Sequence, residues 1–160
     1  SFNAEVFSFD ATYPMTLNLV LKDFKENDTG LEYIGTDRQQ RGDGGFIAQI
    51  TDTKTGAVIA VSSSAWKCTV IHKAPTNSSC EKDSDPAATC KSEITAEPSG
   101  WKAVGYDASA WGNATEYSEA DVSPKDGYDE ISWDAGARLI WSTDLKADNT
   151  LLCKATVQAP

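Results

Sequence analysis

The fold class is decided by residues 16–24, which read Thr16-Leu17-Asn18-Leu19-Val20-Leu21-Lys22-Asp23-Phe24. The three leucines alternate with Asn18 and Lys22, so one face of this segment is apolar. Alternation with a period of two is typical of a half-buried β-strand. The stretch therefore predicts a strand near the start of the chain.

Similar short segments, rich in β-branched and aromatic residues and separated by turn residues, follow along the chain. They are 46–50, 57–61, 64–71, 128–133, 138–141 and 150–157. The first two flank a turn-like stretch at 52–56, which predicts a hairpin. No window longer than ten residues carries a helical stripe. The pattern predicts an all-β protein, an antiparallel β-sandwich of the jelly-roll type.

The length and composition indicate one folded domain. The chain has 160 residues, 40% of them hydrophobic and 24% charged, which suits a single globular unit over residues 1–160. From about 73 to 100 the sequence turns to Pro, Ser, Thr, Asp and Glu. We expect this polar stretch to be a loop on the surface of the domain.

Four cysteines, without a CxxC spacing, predict two disulfides rather than a metal site. Cys80 and Cys90 share the polar loop, and a bond between them would stabilise it by about 3 kcal/mol through chain entropy. Cys68 and Cys153 would then pair, each from a strand-like segment. The other two connectivities stay open at this point.

Three N-glycosylation sequons begin at Asn27, Asn77 and Asn113. Together with an even number of cysteines, they favour an oxidising environment. The sequence therefore predicts a secreted, extracellular glycoprotein.

The charge balance limits the partners. With 24 acidic and 14 basic residues, the net charge is −10. Such a chain repels phosphate backbones and anionic lipids, so we expect neither nucleic acid nor membrane surfaces as partners. Its apolar runs are also much shorter than the ~20 residues that span a bilayer.

The sequence offers little for catalysis. His72 is the only histidine and has no nucleophile elbow beside it, so a catalytic triad or a catalytic zinc is not expected. A pair of carboxylates for glycoside hydrolysis stays formally open among the 24 acids. We therefore predict a protein that is not an enzyme.

Three segments of the second half, 101–115, 139–141 and 148–154, resemble the galactose-binding-like jelly-roll modules. These modules accompany many glycoside hydrolases and also occur as lectins. Lys154 stands where the family commonly carries arginine. The resemblance implies a carbohydrate-binding module or lectin, often with a structural calcium ion near one end; the alternative is a structural or adhesive extracellular-matrix protein on the same fold. These motifs are architectural, so they bear on fold more than on ligand.

Calcium is the cofactor that the acidic turns suggest, because hard cations need several oxygen ligands. One candidate set is Asp23, Asn27 and Asp28, and a second lies within 126–134. The competing interpretation of each is a solvated acidic turn.

A sugar site needs planar hydrogen-bonding groups together with an aromatic face. Two loop stretches combine them, and their candidate carbohydrate-binding residues are Arg38, Arg41, Asp43, Asp126, Tyr128 and Asp129. The arginines offer forked donors, the aspartates accept from vicinal hydroxyls, and the tyrosine ring can lie against a sugar face.

Two further features have structural interpretations. The tripeptide 41–43 is Arg-Gly-Asp, which integrins recognise, but the glycines after it suggest a tight turn with positive φ. Four tryptophans lie in strand or anchoring patterns and are predicted to be core residues: Trp66, Trp111, Trp133 and Trp141. Trp101 follows a loop and is expected to be more exposed than Trp111.

Overall fold

The structure is a computed structural model that describes residues 4–159, so the predicted domain of residues 1–160 includes a few positions outside the described part. The described residues form antiparallel strands with few helices, and the prediction of an all-β protein is confirmed. The strands are β1 (Met15–Lys22), β2 (Leu31–Glu32), β3 (Gln40–Arg41), β4 (Gln49–Thr51), β5 (Val58–Val61), β6 (Lys67–Lys73), β7 (Glu93–Ile94), β8 (Gly112–Asn113), β9 (Thr115–Tyr117), β10 (Leu139–Trp141) and β11 (Asp148–Val157).

The main sheet has the strand order β1-β11-β6-β7, and β8 also pairs with β6. β1 and β11 pair in register from Met15 opposite Val157 to Lys22 opposite Thr150. The alternation seen in the sequence holds here, since Leu21 is buried while Val20 faces solvent. The first and last long strands of the chain are therefore neighbours.

The shorter strands form three pairs: β2 with β3, β4 with β5, and β9 with β10. The predicted hairpin across 52–56 is thus present as β4–β5. A bridge between Phe46 and Ile140 ties the start of that hairpin to β10. From this part of the chain, Phe46, Tyr117 and the β10 residues Ile140 and Trp141 pack into the core with side chains of the main sheet.

The hydrophobic core lies between the main sheet and β10. Its central members include the fully buried Leu151, Ile140 and Cys153, together with Trp66 and Trp141. Trp141 also donates its indole N–H to the carbonyl of Asp148 at 2.8 Å. Burial of these large apolar side chains is the main favourable contribution to folding.

Both disulfides are present in the pairs that the sequence favours. Cys68 and Cys153 face each other across β6 and β11, inside the core. Cys80 and Cys90 close the polar surface loop. Two disulfides indicate an oxidising, extracellular environment. Among residues 4–159, no helix has the length and hydrophobicity that a membrane span requires.

The stretch 128–133 differs from its predicted strand. A single 3₁₀ turn, Gly127–Glu130, occupies its first half. It follows Asp126, whose φ is 56°. A positive φ breaks the extended path that a strand needs, so this segment leaves the sheet.

Two short α-helices also occur within the described residues, α1 (Pro86–Thr89) and α2 (Glu119–Val122). α2 begins with a capping box, in which Ser118 and Asp121 bond each other's backbone N–H groups. α1 begins with proline, which is preorganised for the first helical turn. Both helices are a single turn long, which explains why no helical periodicity is visible in the sequence.

Lys154 holds the loop that follows residue 100 against the main sheet. Its ammonium donates to Asn18 Oδ1 at 2.6 Å and to the carbonyls of Trp101 and Ala103 at 3.2 and 2.9 Å. All three acceptors are neutral, and burial lowers the pKa of this lysine. Trp101 is consequently buried, at 3% exposure, whereas Trp111 is half-buried. The expected order of exposure for these two tryptophans was wrong.

Candidate functional site

Three carboxylates from separate parts of the chain converge beside β1. Asp23 follows β1, Glu32 lies in β2 and Asp43 follows β3. Each offers one oxygen, and the three oxygens lie within 4.8 Å of one another. We call these residues the acidic triad.

The backbone around the acidic triad explains this convergence. The N–H of Asp23 donates to the carbonyl of Asn149 at 2.8 Å, which continues the β1–β11 pairing by one residue. Glu32 pairs with Gln40 across the β2–β3 hairpin, and Gln40 donates its amide to Glu32 Oε2 at 3.2 Å. The triad therefore forms where the hairpin meets the end of β1.

Gly42 and Gly44 lie at positions where there is no room for a side chain. A Cβ on Gly42 would lie 1.7 Å from Asp23 Oδ2, and one on Gly44 would lie 2.3 Å from the indole of Trp141. Positive φ was expected at the glycines after the tripeptide, Gly44 and Gly45, and neither has one, so that expectation was wrong. In the Arg-Gly-Asp tripeptide, the Arg41 guanidinium is paired with Glu81 at 2.9 Å.

The surroundings of the acidic triad disfavour the ionisation of all three carboxylates at once. Burial, followed by repulsion from Asp43 and Glu32, raises the pKa of Asp23 to about 7. Burial also raises the pKa of Glu32. Asp23 Oδ2 is buried and has no hydrogen-bond partner among the described residues. None of the ion pairs within residues 4–159 involves a triad member.

Such a cluster requires either protons or a cation to neutralise it. Carboxylate oxygens are the ligands that Ca²⁺ prefers, and the triad brings them from three segments of chain. The donor set of the acidic triad therefore has the chemistry of a cation site.

The tip of the β2–β3 hairpin presents an aromatic ring and a guanidinium side by side. Tyr33 has a φ of 52° and a side chain that is 44% exposed. The guanidinium of Arg38 lies 5.9 Å from the centre of the tyrosine ring. Thr36 donates both its N–H and its hydroxyl to the carbonyl of Tyr33, which fixes the turn. A strained non-glycine residue held in place in this way is a recognised feature of binding loops.

The predicted sugar-binding residues fall into two groups with separate partners. Arg38, Arg41 and Asp43 lie on or directly after the β2–β3 hairpin. Asp126, Tyr128 and Asp129 lie at the 3₁₀ turn.

In the second group, Tyr128 stacks on Trp133 at 6.0 Å and donates its hydroxyl to Glu119. Its ring also lines a shallow pocket together with Ile47 and Trp133. The second group shares one 3₁₀ turn, whereas the members of the first group have separate partners: Arg38 has Tyr33, Arg41 has Glu81, and Asp43 belongs to the acidic triad.

The predicted calcium ligands are divided in the same way. Asp23 belongs to the acidic triad. Asn27 Oδ1 instead accepts from the N–H and hydroxyl of Thr29 at 2.9 and 2.6 Å. Asp28 pairs with Lys25 at 3.2 Å.

Sequence reasoning missed Glu32, which sits at a buried position where a carboxylate is costly unless it is neutralised. No pattern in the sequence singles out Glu32, because its burial beside Asp23 and Asp43 depends on how the β2–β3 hairpin folds against the end of β1.

The three sequon asparagines differ in their surroundings. Asn77 accepts from the N–H of Lys91 and donates to the carbonyl of Thr89, so both ends of its amide are used. Asn113 is exposed on β8, and its Oδ1 accepts from Lys67. Asn27 is also exposed. A glycan on Asn77 would cost its bond to Thr89, whereas Asn113 offers its amide nitrogen to solvent.

Comparison of the chain with protein-family models, with curated proteins and with solved structures finds no match.

Proposed function

We propose that this protein is a secreted carbohydrate-binding protein, on a β-sandwich of the galactose-binding-like type, and that it binds glycans through the β2–β3 hairpin without catalysis. One observation carries the proposal: the hairpin presents Tyr33 and Arg38 at its tip and closes a cluster of three carboxylates at its base. The aromatic ring suits the C–H face of a sugar, and the guanidinium suits its hydroxyls.

In this proposal Ca²⁺ is held by Asp23, Glu32 and Asp43. The cation would neutralise the acidic triad and fix the base of the hairpin, and the exposed Asp43 would be the member nearest to a ligand. Tyr33 and Arg38 at the hairpin tip would then contact and orient the sugar. The cation-bound acidic triad would keep the hairpin in place.

Sugar binding is tested with a glycan array, followed by calorimetry on any hit. We expect Tyr33→Ala and Arg38→Ala each to lower affinity by about tenfold or more, since a lost contact of this kind is worth about 1–3 kcal/mol. The melting temperature should change little because both side chains lie at an exposed tip. Asp126→Ala serves as the comparison, because it belongs to the other group of predicted residues. If it abolishes binding while the hairpin variants bind normally, the site lies at the 3₁₀ turn instead.

Cation binding is tested with Asp23→Asn. We expect the variant to lose at least about tenfold in Ca²⁺ affinity by calorimetry, because it loses one of the three carboxylates. Asp28→Asn is the matched control: it also removes an aspartate from this region, but one that pairs with Lys25. Loss of Ca²⁺ binding in Asp28→Asn, with normal binding in Asp23→Asn, would contradict the assignment to the triad.

The pH dependence provides a second test of the same residue. The folded-state pKa of Asp23 is raised from 3.8 to about 7. Between these two pH values, the metal-free folded protein keeps a proton on Asp23 that the unfolded chain releases. This contribution to stability is fully present below pH 3.8 and is lost as the pH rises through about 7. We expect metal-free protein to melt at a lower temperature at pH 8 than at pH 5, and Asp23→Asn to reduce that difference. Added Ca²⁺ should stabilise the parent more at pH 8 than at pH 5, since protons compete with the cation.

A structural or adhesive matrix protein is the second candidate. The exposed segment near the start of the described chain favours it, because Val6, Phe7 and Phe9 are 87%, 76% and 51% exposed. The rings of Phe7 and Phe9 lie 6.1 Å apart, and adjacent exposed apolar side chains of this kind suit contact with another protein. A glycan array without any saturable binding, together with self-association that is lost in Phe7→Ser, would favour this function.

A further inference from the structure

The loop that carries the second disulfide contains few buried residues, and besides the disulfide it is closed by hydrogen bonds of Thr76 and Asn77 to Thr89 and Lys91. A 3₁₀ turn, Ser78–Lys82, and helix α1 make up most of it, and only Cys80 and Pro86 are buried within these two elements. Cys80 is 1% exposed and lies under the loop, joined to Cys90 at its far end. With so few apolar contacts, the disulfide is the one covalent support that acts beside these exposed hydrogen bonds.

The β2–β3 hairpin depends in turn on this loop. Gln39 donates its amide to the carbonyls of Glu81 and Asp83 at 2.8 and 3.0 Å, and it accepts from the N–H of Gly35. Arg41 pairs with the Glu81 carboxylate at 2.9 Å. The hairpin itself has only two residues in each strand. The fully buried Leu31 and the hydrogen bonds of Glu26 to Leu31 and Ile34 hold the β2 side, and the contacts to residues 81–83 hold the β3 side.

The two disulfides differ in their access to solvent. Cys153 is fully buried and Cys68 is 8% exposed, in the core between β6 and β11. Cys90 is only half-buried, at the surface end of its loop. A thiolate must reach a sulfur atom in order to exchange with a disulfide, so the surface pair is the more accessible of the two.

We propose that the Cys80–Cys90 disulfide is a redox-sensitive latch, which holds the β2–β3 hairpin over the acidic triad and is opened in the folded protein by a dithiol reductant. The functional consequence rests on the function proposed above. A thiolate of the reductant attacks Cys90 Sγ and forms a mixed disulfide, while Cys80 leaves as a thiolate and takes up a proton. The second thiol of the reductant then attacks the reductant's own sulfur in the mixed disulfide, and Cys90 leaves as a thiolate and takes up a proton. The dithiol is thereby oxidised to a disulfide, and Cys80 and Cys90 are reduced to two thiols.

When this disulfide is reduced, the 3₁₀ turn Ser78–Lys82 is no longer fixed by a covalent bond. The carbonyls of residues 81–83 are then free to move away from the hairpin. The Cys68–Cys153 bond stays closed, so the main sheet and core persist. The expected outcome is a folded protein whose hairpin is mobile and whose cation and sugar site is weakened.

The test is a titration of the full chain with dithiothreitol under native conditions, with alkylation and mass spectrometry of each cysteine. Hydrogen exchange is measured on peptides that cover 31–41 and 148–157. We expect alkylation at Cys80 and Cys90 before Cys68 and Cys153, with exchange at least about tenfold faster at 31–41 and unchanged at 148–157. Reduction of the core disulfide at the same or lower reductant concentration overturns the latch, and so does unchanged exchange at 31–41 after Cys80 and Cys90 are reduced.

A variant gives the same answer without reductant. The double substitution Cys80→Ala, Cys90→Ala should speed exchange at 31–41, and Gln39→Ala should do so in part with both disulfides intact. Ser84→Ala, an exposed change in the same loop, is the control and should leave exchange at 31–41 unchanged. Ca²⁺ titration of oxidised and reduced protein separates the two proposals. Faster exchange upon reduction, in a protein that binds no Ca²⁺ when oxidised, supports the latch and contradicts the proposed cation site.

Discussion

Replacing both Cys68 and Cys153 by alanine is expected to destabilise the protein by about 4–5 kcal/mol, which is a large part of the stability of a domain of this size. The bond links residues 85 positions apart, so its loss frees a long loop in the unfolded chain. It also leaves a gap in the core, where Cys153 is fully buried. Urea unfolding monitored by tryptophan fluorescence measures the change.

The control for this substitution is the other disulfide. Cys80→Ala, Cys90→Ala removes a link across only 10 positions, so the expected loss is smaller, about 2.5–3 kcal/mol. The main sheet should remain intact in that variant. Equal losses in the two variants, or a larger loss from the surface pair, would contradict the assignment of the core disulfide as the principal covalent support of the fold.

Trp101→Ala is expected to cost about 3–5 kcal/mol, the usual range for a buried tryptophan. The ring is 3% exposed, and its indole N–H donates to Glu97 Oε2 at 2.7 Å. The substitution also loosens the loop whose carbonyls accept from Lys154. Thermal and urea unfolding of the variant measure the loss.

Trp111→Ala is the matched control, because its ring lies 6.1 Å from that of Trp101 and is only half-buried. We expect a smaller loss from this variant, since less apolar area leaves water when the ring packs. A larger loss of stability in Trp111→Ala than in Trp101→Ala would contradict this assignment. Trp111 would then be the tryptophan that anchors the loop, as the sequence predicted.

The candidate site was only partly predictable. Asp23 and Asp43 were each singled out, one as a calcium ligand and the other as a sugar ligand, because acidic residues beside turns suggest binding. Their convergence with Glu32 could not be inferred, since it depends on how the β2–β3 hairpin folds back onto the end of β1. Gln39 and Glu81, which hold that hairpin, lie about forty positions apart and share no sequence pattern.

The sequence by itself determined the features that depend on residues close together in the chain, namely the strands with alternating or apolar residues and the disulfide within one loop. The alternation of leucines in β1, the apolar run of β11 and the spacing of Cys80 and Cys90 within one polar loop each report on near neighbours in the chain, and the structure has the corresponding strands and disulfide. Periodicity records which face of a segment is apolar, and that property is carried by the segment alone.

Only the tertiary structure decided the features that depend on distant segments. Trp101 is buried because Lys154, from the last strand, captures the carbonyls of its loop, and no pattern around Trp101 encodes that contact. Segment 128–133 has strand-like composition, yet the backbone at Asp126 turns it away from the sheet. Burial, followed by repulsion from the carboxylates of Asp43 and Glu32, raises the pKa of Asp23 to about 7. Burial and charge repulsion arise from the whole fold, so these properties appear only when the segments meet.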